Sequence, residues 1–313
     1  MLLYICKRLL RSVVSILIIV TVVFCLLRMM PIEGYFTEYD KMSEVQIYNT
    51  LEKYGLNDPI PTQLVNFYKQ LARGDLGTST RYRQNYPIVD IIKQQAPFSL
   101  RFGLISTGIG IPLGLALGVL MARRKGGLWD KLGTVYVVLI QAIPLAIIYL
   151  FIQLYGTQLF NLSILYNPDK PSSMILPLIS LSLPTISYYA MWMRRYTVDE
   201  TNKDYIKLAR TKGVPNTAVW FRHVFRNAVV PLVQMIPNSL LMTMVGSIYV
   251  ESLYSIPGMG GLLVDVIKRQ DNTMVQALVI IYAVLTIIGL LLGDILMAMV
   301  DPRISLTKKE GAR

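Results

Sequence analysis

Histidine occurs once and cysteine only twice in the 313 residues of this chain. That leaves too few ligands for a disulfide framework, an iron–sulfur cluster or an all-Cys/His zinc site. Neither Gly-Lys-Ser nor Gly-Lys-Thr occurs, so the G-x-x-x-x-G-K-[ST] phosphate loop is missing and the chain is not an ATPase of that class. Charge is scarce too. Charged residues make up 16% against 53% hydrophobic, with a mean hydropathy of +0.47, a balance that excludes an ordinary water-facing exterior. The sole histidine, His223, stands in a basic segment, where a structural or interface role outweighs general base catalysis. With no nucleophile beside a plausible base, no enzymatic activity is expected of this chain.

What the sequence has in abundance is apolar length. The charge-free runs are Ser12–Leu27, Phe102–Ala122, Leu132–Pro168, Pro171–Met193, Asn227–Val250 and Asn272–Gly293. An ionisable side chain costs about 2.5–3.5 kcal/mol at the centre of a membrane helix, and about 20 residues cross about 30 Å of hydrocarbon. The third run is too long for one span and short for two, and Gly156, Asn161 and Asn167-Pro168 interrupt its second half. One span near 132–155 followed by an external loop is therefore expected. The fold class that follows is an all-α polytopic membrane protein with six transmembrane helices. In the first run, Leu9 and Leu10 add length and Arg28 can snorkel. Phe24 to Met30 offers no small-x-small cleavage site, so residues 1–30 read as an uncleaved anchor rather than a signal peptide.

The net charge of +12 raises the question of a nucleic-acid partner. Lys and Arg cluster before the first run, in 123–131, in 194–226 and after Asp301, whereas the short loops between hold only Lys170, Lys268 and Arg269. Such asymmetry is the signature of topology: the basic loops and both termini are expected in the cytoplasm, and nucleic acid is not a partner.

Three polar pieces remain. Residues 31–97 form an external segment expected to pack on the bundle, with helical patterns at Val45–Tyr54, ended by Gly55, and at Pro61–Arg73. It serves either as a structural cap or as a docking surface for an extracytoplasmic partner. The loop 194–226 is expected to hold a helix from about Asp199 to Lys212, a turn at Gly213 and a second helix from Pro215. Its apolar residues Ile206, Val214, Val219, Trp220 and Phe221 rest on the membrane or the protein's own spans, or dock into a cytosolic partner. From Glu251 to Gly261, three glycines and a proline predict an irregular re-entrant turn or gate. Glu251 and Asp294 border spans without an obvious intramembrane cation, which weakens an ion-coupled secondary transporter. Gln141, Gln234 and Asn238 are open to cargo contact or helix-to-helix hydrogen bonding.

The assembled motifs resemble the inner-membrane permease subunits of binding-protein-dependent ABC importers, in the dipeptide, oligopeptide and nickel branch. The resemblance spans nearly the whole chain. It rests on Asp204-Tyr205-Ile206-Lys207-Leu208-Ala209-Arg210-Thr211-Lys212-Gly213, then His223, Arg226-Asn227 and Pro231. It extends to Tyr54–Pro59, Gly74–Ser79, Glu251–Gly260 and Asp301-Pro302-Arg303. The wider superfamily carries Glu-Ala-Ala ahead of the glycine, where this chain has Lys207-Leu208-Ala209, so only Ala209 and Gly213 match; the peptide branch is expected to differ there.

The resemblance implies a type I importer permease with an anchor (1–30), an external segment (31–97), a five-helix core (98–299) holding the coupling loop 194–226, and a cytoplasmic tail (300–313). It assigns coupling to an ATPase subunit to Asp204, Tyr205, Ala209, Arg210, Lys212, Gly213, Pro215, His223 and Asn227. An external gate or binding-protein contact falls to Glu251, Ile256, Pro257, Gly258, Met259 and Gly260. The implied partners are a second homologous permease, two ATP-binding cassette ATPases that hold ATP and Mg, an extracytoplasmic binding protein and the lipid of a prokaryotic cytoplasmic membrane. No cofactor or metal is expected on this chain. Peptides are the implied cargo, with nickel chelates or oligosaccharides as alternatives.

Overall fold

A computed structural model of the chain describes residues 2–36 and 39–300. Asp301-Pro302-Arg303 and the remainder of the expected tail lie outside the described residues. Among the described residues the chain is built of helices, with one isolated bridge between Thr78 and Pro87. In chain order the first are α1 (Leu2–Arg28), α2 (Glu44–Lys53), α3 (Ile60–Ala72), α4 (Ile88–Arg123), α5 (Leu128–Ala142), α6 (Leu145–Phe160) and α7 (Ile175–Thr201). Then come α8 (Asp204–Thr211), α9 (Asn216–Ala218), a π-helical stretch (Val219–Phe225), α10 (Arg226–Ala228) and α11 (Val230–Val233). The chain continues through α12 (Ile236–Val245), α13 (Ile248–Tyr254), α14 (Met259–Lys268) and α15 (Asn272–Val300).

Among the described residues, five stretches are long and apolar enough to cross a membrane: Lys7–Arg28, Ile88–Arg123, Pro171–Thr201, Val230–Tyr254 and Asn272–Met297. The pair α5 and α6 makes a sixth if it is one broken span, because the two helices meet at 107°. This corrects the straight span expected near 132–155. Pro144 lacks an N–H and forces Ile143 out of helical geometry, to φ −89° and ψ 133°. Gly156, expected to break the run, instead lies buried inside α6, which continues to a left-handed cap at Asn161.

The most extensive seam joins α4 to α7. Gly110, Gly114 and Gly118 recur at every fourth residue on α4, and a Cβ on Gly114 or Gly118 would stand 2.8 Å from Ile186 O or 2.6 Å from Ala190 O. Without a hydrophobic drive between helices in lipid, such small residues gain packing by letting backbones approach. α4 also starts well before its apolar run: Ile88–Pro97 is helix continuous with the span. At about 1.5 Å per residue its 36 residues reach about 54 Å, well beyond a 30 Å hydrocarbon layer.

Residues between α1 and α4 form a cap packed on the bundle, as the pattern predicts. Ser43 starts α2 with a reciprocal capping box to Gln46, and Gly55 ends it at φ +63°. α3 lies on α1 through the Thr21–Tyr68 hydroxyl pair (2.7 Å) and the stacked Phe24 and Phe67 rings (5.2 Å).

The cap is latched to α15 by Asp271, whose side chain is fully buried. One carboxylate oxygen accepts from Ser79 Oγ (2.6 Å) and from the amides of Thr80, Arg81 and Tyr82. The other accepts from Thr80 and Thr273 hydroxyls and from Met274 N, which also caps α15. Burial alone would raise the Asp271 pKa, but these hydrogen bonds outweigh it and hold the carboxyl below its usual range. A depressed folded-state pKa means the latch is at full strength above the ordinary aspartate value of about 3.9 and is lost as pH falls through the lower folded value. Thermal melting of the purified chain should therefore show a stability gap between wild type and Asp271→Asn at pH 7 that closes as the pH falls below the ordinary aspartate range. A gap independent of pH would contradict the latch.

Asp294 is not without a cation, contrary to the reading from sequence. Arg8 of α1 reaches it as an ion pair, and Gln234 Nε2 donates to its other oxygen at 2.8 Å. Gln141 likewise donates to Met191 Sδ (3.4 Å) on a neighbouring helix. Both glutamines take the helix-to-helix role.

Candidate functional site

The first site is the element after α7. The expected helix start at Asp199 is corrected: Asp199 and Glu200 close α7, which runs to Thr201, and the short helix begins at Asp204. α8 ends in a two-bond reversal, with Gly213 N donating to Arg210 O (3.0 Å) and Val214 N to Ala209 O (3.2 Å). Gly213 sits at φ +76° with no atom within 4 Å of a would-be Cβ, so it is required for its backbone conformation alone. Ala209 and Val214 pack with Trp220 on the buried cluster Ile206, Val219 and Val224. Most of the apolar residues of the loop thus cover one another. Leu208 and Phe221 do not, being 55% and 69% exposed.

A hydrogen-bond chain fixes the element to the span that precedes it. Asn227 Nδ2 donates to the Tyr205 hydroxyl (2.7 Å), and that hydroxyl donates to Glu200 at the end of α7. Asn227 also donates to His223 O (2.8 Å), so His223 enters this network through its backbone. Glu200 is buried and paired with Lys203 at 2.7 Å. The Lys207 ammonium, hydrogen-bonded to Asp204, holds that carboxyl below its usual range, yet Asp204 is fully exposed and the pair adds little. A second tie runs to α4, where the Arg123 guanidinium lies 5.3 Å from the Trp220 ring centroid. Arg194 of α7 forks onto Asp130 of α5 (2.5 and 2.9 Å), and Asp130 also accepts from Gly126 N. The unit is therefore joined to α7 and α4, and α7 in turn to α5, while Leu208, Phe221 and the exposed cations Lys207, Arg210, Lys212 and Arg222 face outward.

The second site is the turn between α13 and α14. The expected irregular stretch from Glu251 to Gly261 is instead two helices around a tight bend at Ser255–Gly258. Glu251 is 3% exposed and its carboxylate accepts from Ser99 Oγ of α4 (2.7 Å), Gly260 N (2.7 Å), Gly261 N (3.0 Å) and Ser247 N (3.3 Å). Ser99 Oγ in turn accepts from Met259 N (2.7 Å), and Tyr282 of α15 donates to Met259 O (2.8 Å). Gly260 must lack a side chain, because a Cβ there would lie 2.7 Å from Ile248 N. One buried carboxylate thereby joins α4, α13 and α14. Of the residues expected at a gate or binding-protein contact, Ile256, Gly258, Met259 and Gly260 are buried with Glu251, and only Pro257 is exposed.

Residues 114–306 match the family described as binding-protein-dependent transport system inner membrane component. The chain belongs to that family. The permease is 33% identical over 303 residues to the dipeptide transport system permease protein of Lactococcus lactis subsp. cremoris, covering 97% of this chain and 99% of that one. It is 30% identical over 306 residues to the oligopeptide transport system permease protein of Salmonella typhimurium, covering 97% and 99%. The Bacillus subtilis oligopeptide transport system permease protein shares 32% identity over 314 residues, covering 96% and 98%. A solved amino acid ABC transporter with histidines superposes with a TM-score of 0.52 at 17% identity, covering 69% of this chain and 95% of that chain, which shows a common fold. The permease is thus an all-α polytopic membrane protein of the ABC importer type.

The structure brings Tyr205, His223 and Asn227 together and sets Ala209, Gly213 and Pro215 in the turn that orders them, while Asp204, Arg210 and Lys212 lie on the outer face. Reading the sequence missed Glu200, Ser99, Arg123 and the Asp130–Arg194 pair. Asp130 had a weak signal, an acid in the first turn of a helix opened by Gly126-Gly127. Ser99 had none, since a hydroxyl within an apolar helix gives no hint of a partner in a segment so distant in sequence.

Proposed function

We propose that this permease forms half of the translocation pathway of an ATP-driven importer for di- or oligopeptides. The observation that carries the reading is similarity over nearly the full chain to proteins named dipeptide and oligopeptide transport system permeases. The second half is a homologous permease, two separate ATPase subunits bind ATP and Mg, and an extracytoplasmic binding protein delivers the cargo. Both termini and the α8 element face the cytoplasm, on the strength of the Lys/Arg asymmetry among the short loops. The coupling contact is the outward face of α8 and the π-helical stretch. Its exposed Leu208 and Phe221 supply apolar anchors, and the Asn227–Tyr205–Glu200 chain supplies stiffness. Stiffness matters because moving a two-state transporter from 1:99 to 99:1 takes about 5.5 kcal/mol of differential binding, all of it transmitted through this contact. The turn held by Glu251 is the gate on the opposite side.

The test is a mild-detergent pull-down of the tagged permease from its native host, followed by reconstitution and uptake of a labelled dipeptide. Co-purification of an ATPase and a second permease, with ATP-dependent uptake, is expected. Uptake by this chain alone, driven by a proton or sodium gradient, would overturn the reading.

A further inference from the structure

A cavity of about 270 Å³ lies where the cap meets the ends of α1 and α15. Arg28, the last residue of α1, lines it, with Tyr35 from the cap and Gln276 from α15; Phe67 and Leu71 of α3 form an apolar wall and Asp75 an exposed rim. Tyr35 and Gln276 are only 4% and 6% exposed. Arg28 Nε and Nη1, the Tyr35 hydroxyl and Gln276 Nε2 are all buried without a hydrogen-bond partner.

Four unpaired donor groups around one cavity are costly unless something completes them, because a buried unsatisfied polar group loses its water and gains nothing. The Arg28 guanidinium lies 4.8 Å from the Phe24 ring centroid and 5.2 Å from that of Tyr35. Those π faces steady the cation but offer no acceptor in the plane of its N–H groups. Glu33, the acid closest to Arg28 in sequence, does not line the cavity. Asp75 does, on the exposed rim and with one oxygen accepting from Gly77 N (2.8 Å), and the single Arg28 cation balances no more than one negative charge on a ligand. Burial raises the Tyr35 pKa although the neighbouring Arg28 guanidinium opposes the shift, so the hydroxyl stays protonated at neutral pH and can donate. The missing partner is an acceptor, singly negative, with an apolar portion to cover the aromatic and aliphatic wall.

We propose that this cavity binds a monoanion with an apolar body, its carboxylate or phosphodiester accepting from Arg28, Tyr35 and Gln276 while the body lies on Phe67 and Leu71. The shared chemistry has two sources, a small organic carboxylate from solution or the headgroup of an anionic lipid reaching the end of α1. The site is separate from the α8 element and from the Glu251 turn, and the inference does not depend on what the permease transports.

The experiment places the full chain in phosphatidylcholine nanodiscs and titrates N-acetylphenylalanine by calorimetry, with N-acetylphenylalaninamide as the uncharged control. A parallel arm uses nanodiscs containing phosphatidylglycerol and scores retained lipid by native mass spectrometry. Arg28→Gln and Gln276→Leu are each compared with wild type, the second serving if the first impairs folding. Loss of about tenfold or more in affinity for the acid, with no binding of the amide, identifies a soluble carboxylate as the source. Loss of retained phosphatidylglycerol in the variants identifies the lipid headgroup. Equal behaviour of wild type and both variants in both arms, or equal binding of acid and amide, would overturn the proposal.

Discussion

Glu251→Ala is expected to leave the permease inserted but to abolish substrate uptake and unseat the turn between α13 and α14. The carboxylate accepts four hydrogen bonds at a buried position, from Ser99, Ser247, Gly260 and Gly261. Truncation removes the common acceptor and strands donors that water cannot readily reach, at about 1–3 kcal/mol for each group left unpaired. Even with partial relaxation the loss is on the order of 3 kcal/mol, a large part of the margin of a typical domain. Glu251→Gln should fall between, because its carbonyl oxygen replaces one acceptor while its amide group turns N–H toward N–H. Hydrogen exchange at Gly260 and Gly261, read alongside uptake, decides the matter: faster exchange with lost uptake is the expected pair. Wild-type protection at both amides in Glu251→Ala would show that the carboxylate does not organise the turn.

Gly213→Val should uncouple the machine rather than dismantle it. With φ at +76° and no atom within 4 Å of a Cβ, the substitution meets no steric neighbour and acts through the backbone alone. A left-handed conformation costs an ordinary L-residue about 1–2 kcal/mol, and a β-branched one more. Relieving that strain rotates α8 against the π-helical stretch and breaks the Val214–Ala209 bond that closes the turn. Subunits should still co-purify, while ATP hydrolysis by the reconstituted complex no longer drives uptake. Gly213→Asn is the informative control, since asparagine tolerates the left-handed region and should retain much of the activity. Wild-type uptake in Gly213→Val would remove the turn from the coupling mechanism.

How much of this was legible beforehand varies by element. Most spans, the Gly55 end of α2, the start of α3 beside Pro61 and the Gly213 turn follow from local rules of apolar length, capping geometry and backbone conformation. Those rules act over a few residues, so a sequence displays them directly. The broken pair α5 and α6 was misread because the apolar run continues through Pro144 without a polar mark. The boundary at Asp204 was misread because acids at 199 and 200 imitate a helix start when they close a longer helix.

Composition and periodicity by themselves determined that this protein is a helical membrane protein, since hydrocarbon admits neither charge nor unpaired backbone. Family resemblance in the α8 region then pointed to coupling. Only the tertiary structure decided that Asp294 has Arg8 as its counter-ion, that Asp271 holds the cap, and that Glu251 is buried under Ser99 and two glycine amides. In each case a lone ionisable residue finds its partner in a segment remote along the chain. The cost of burying a charge dictates that it must be paired or hydrogen-bonded, and helix packing selects the partner.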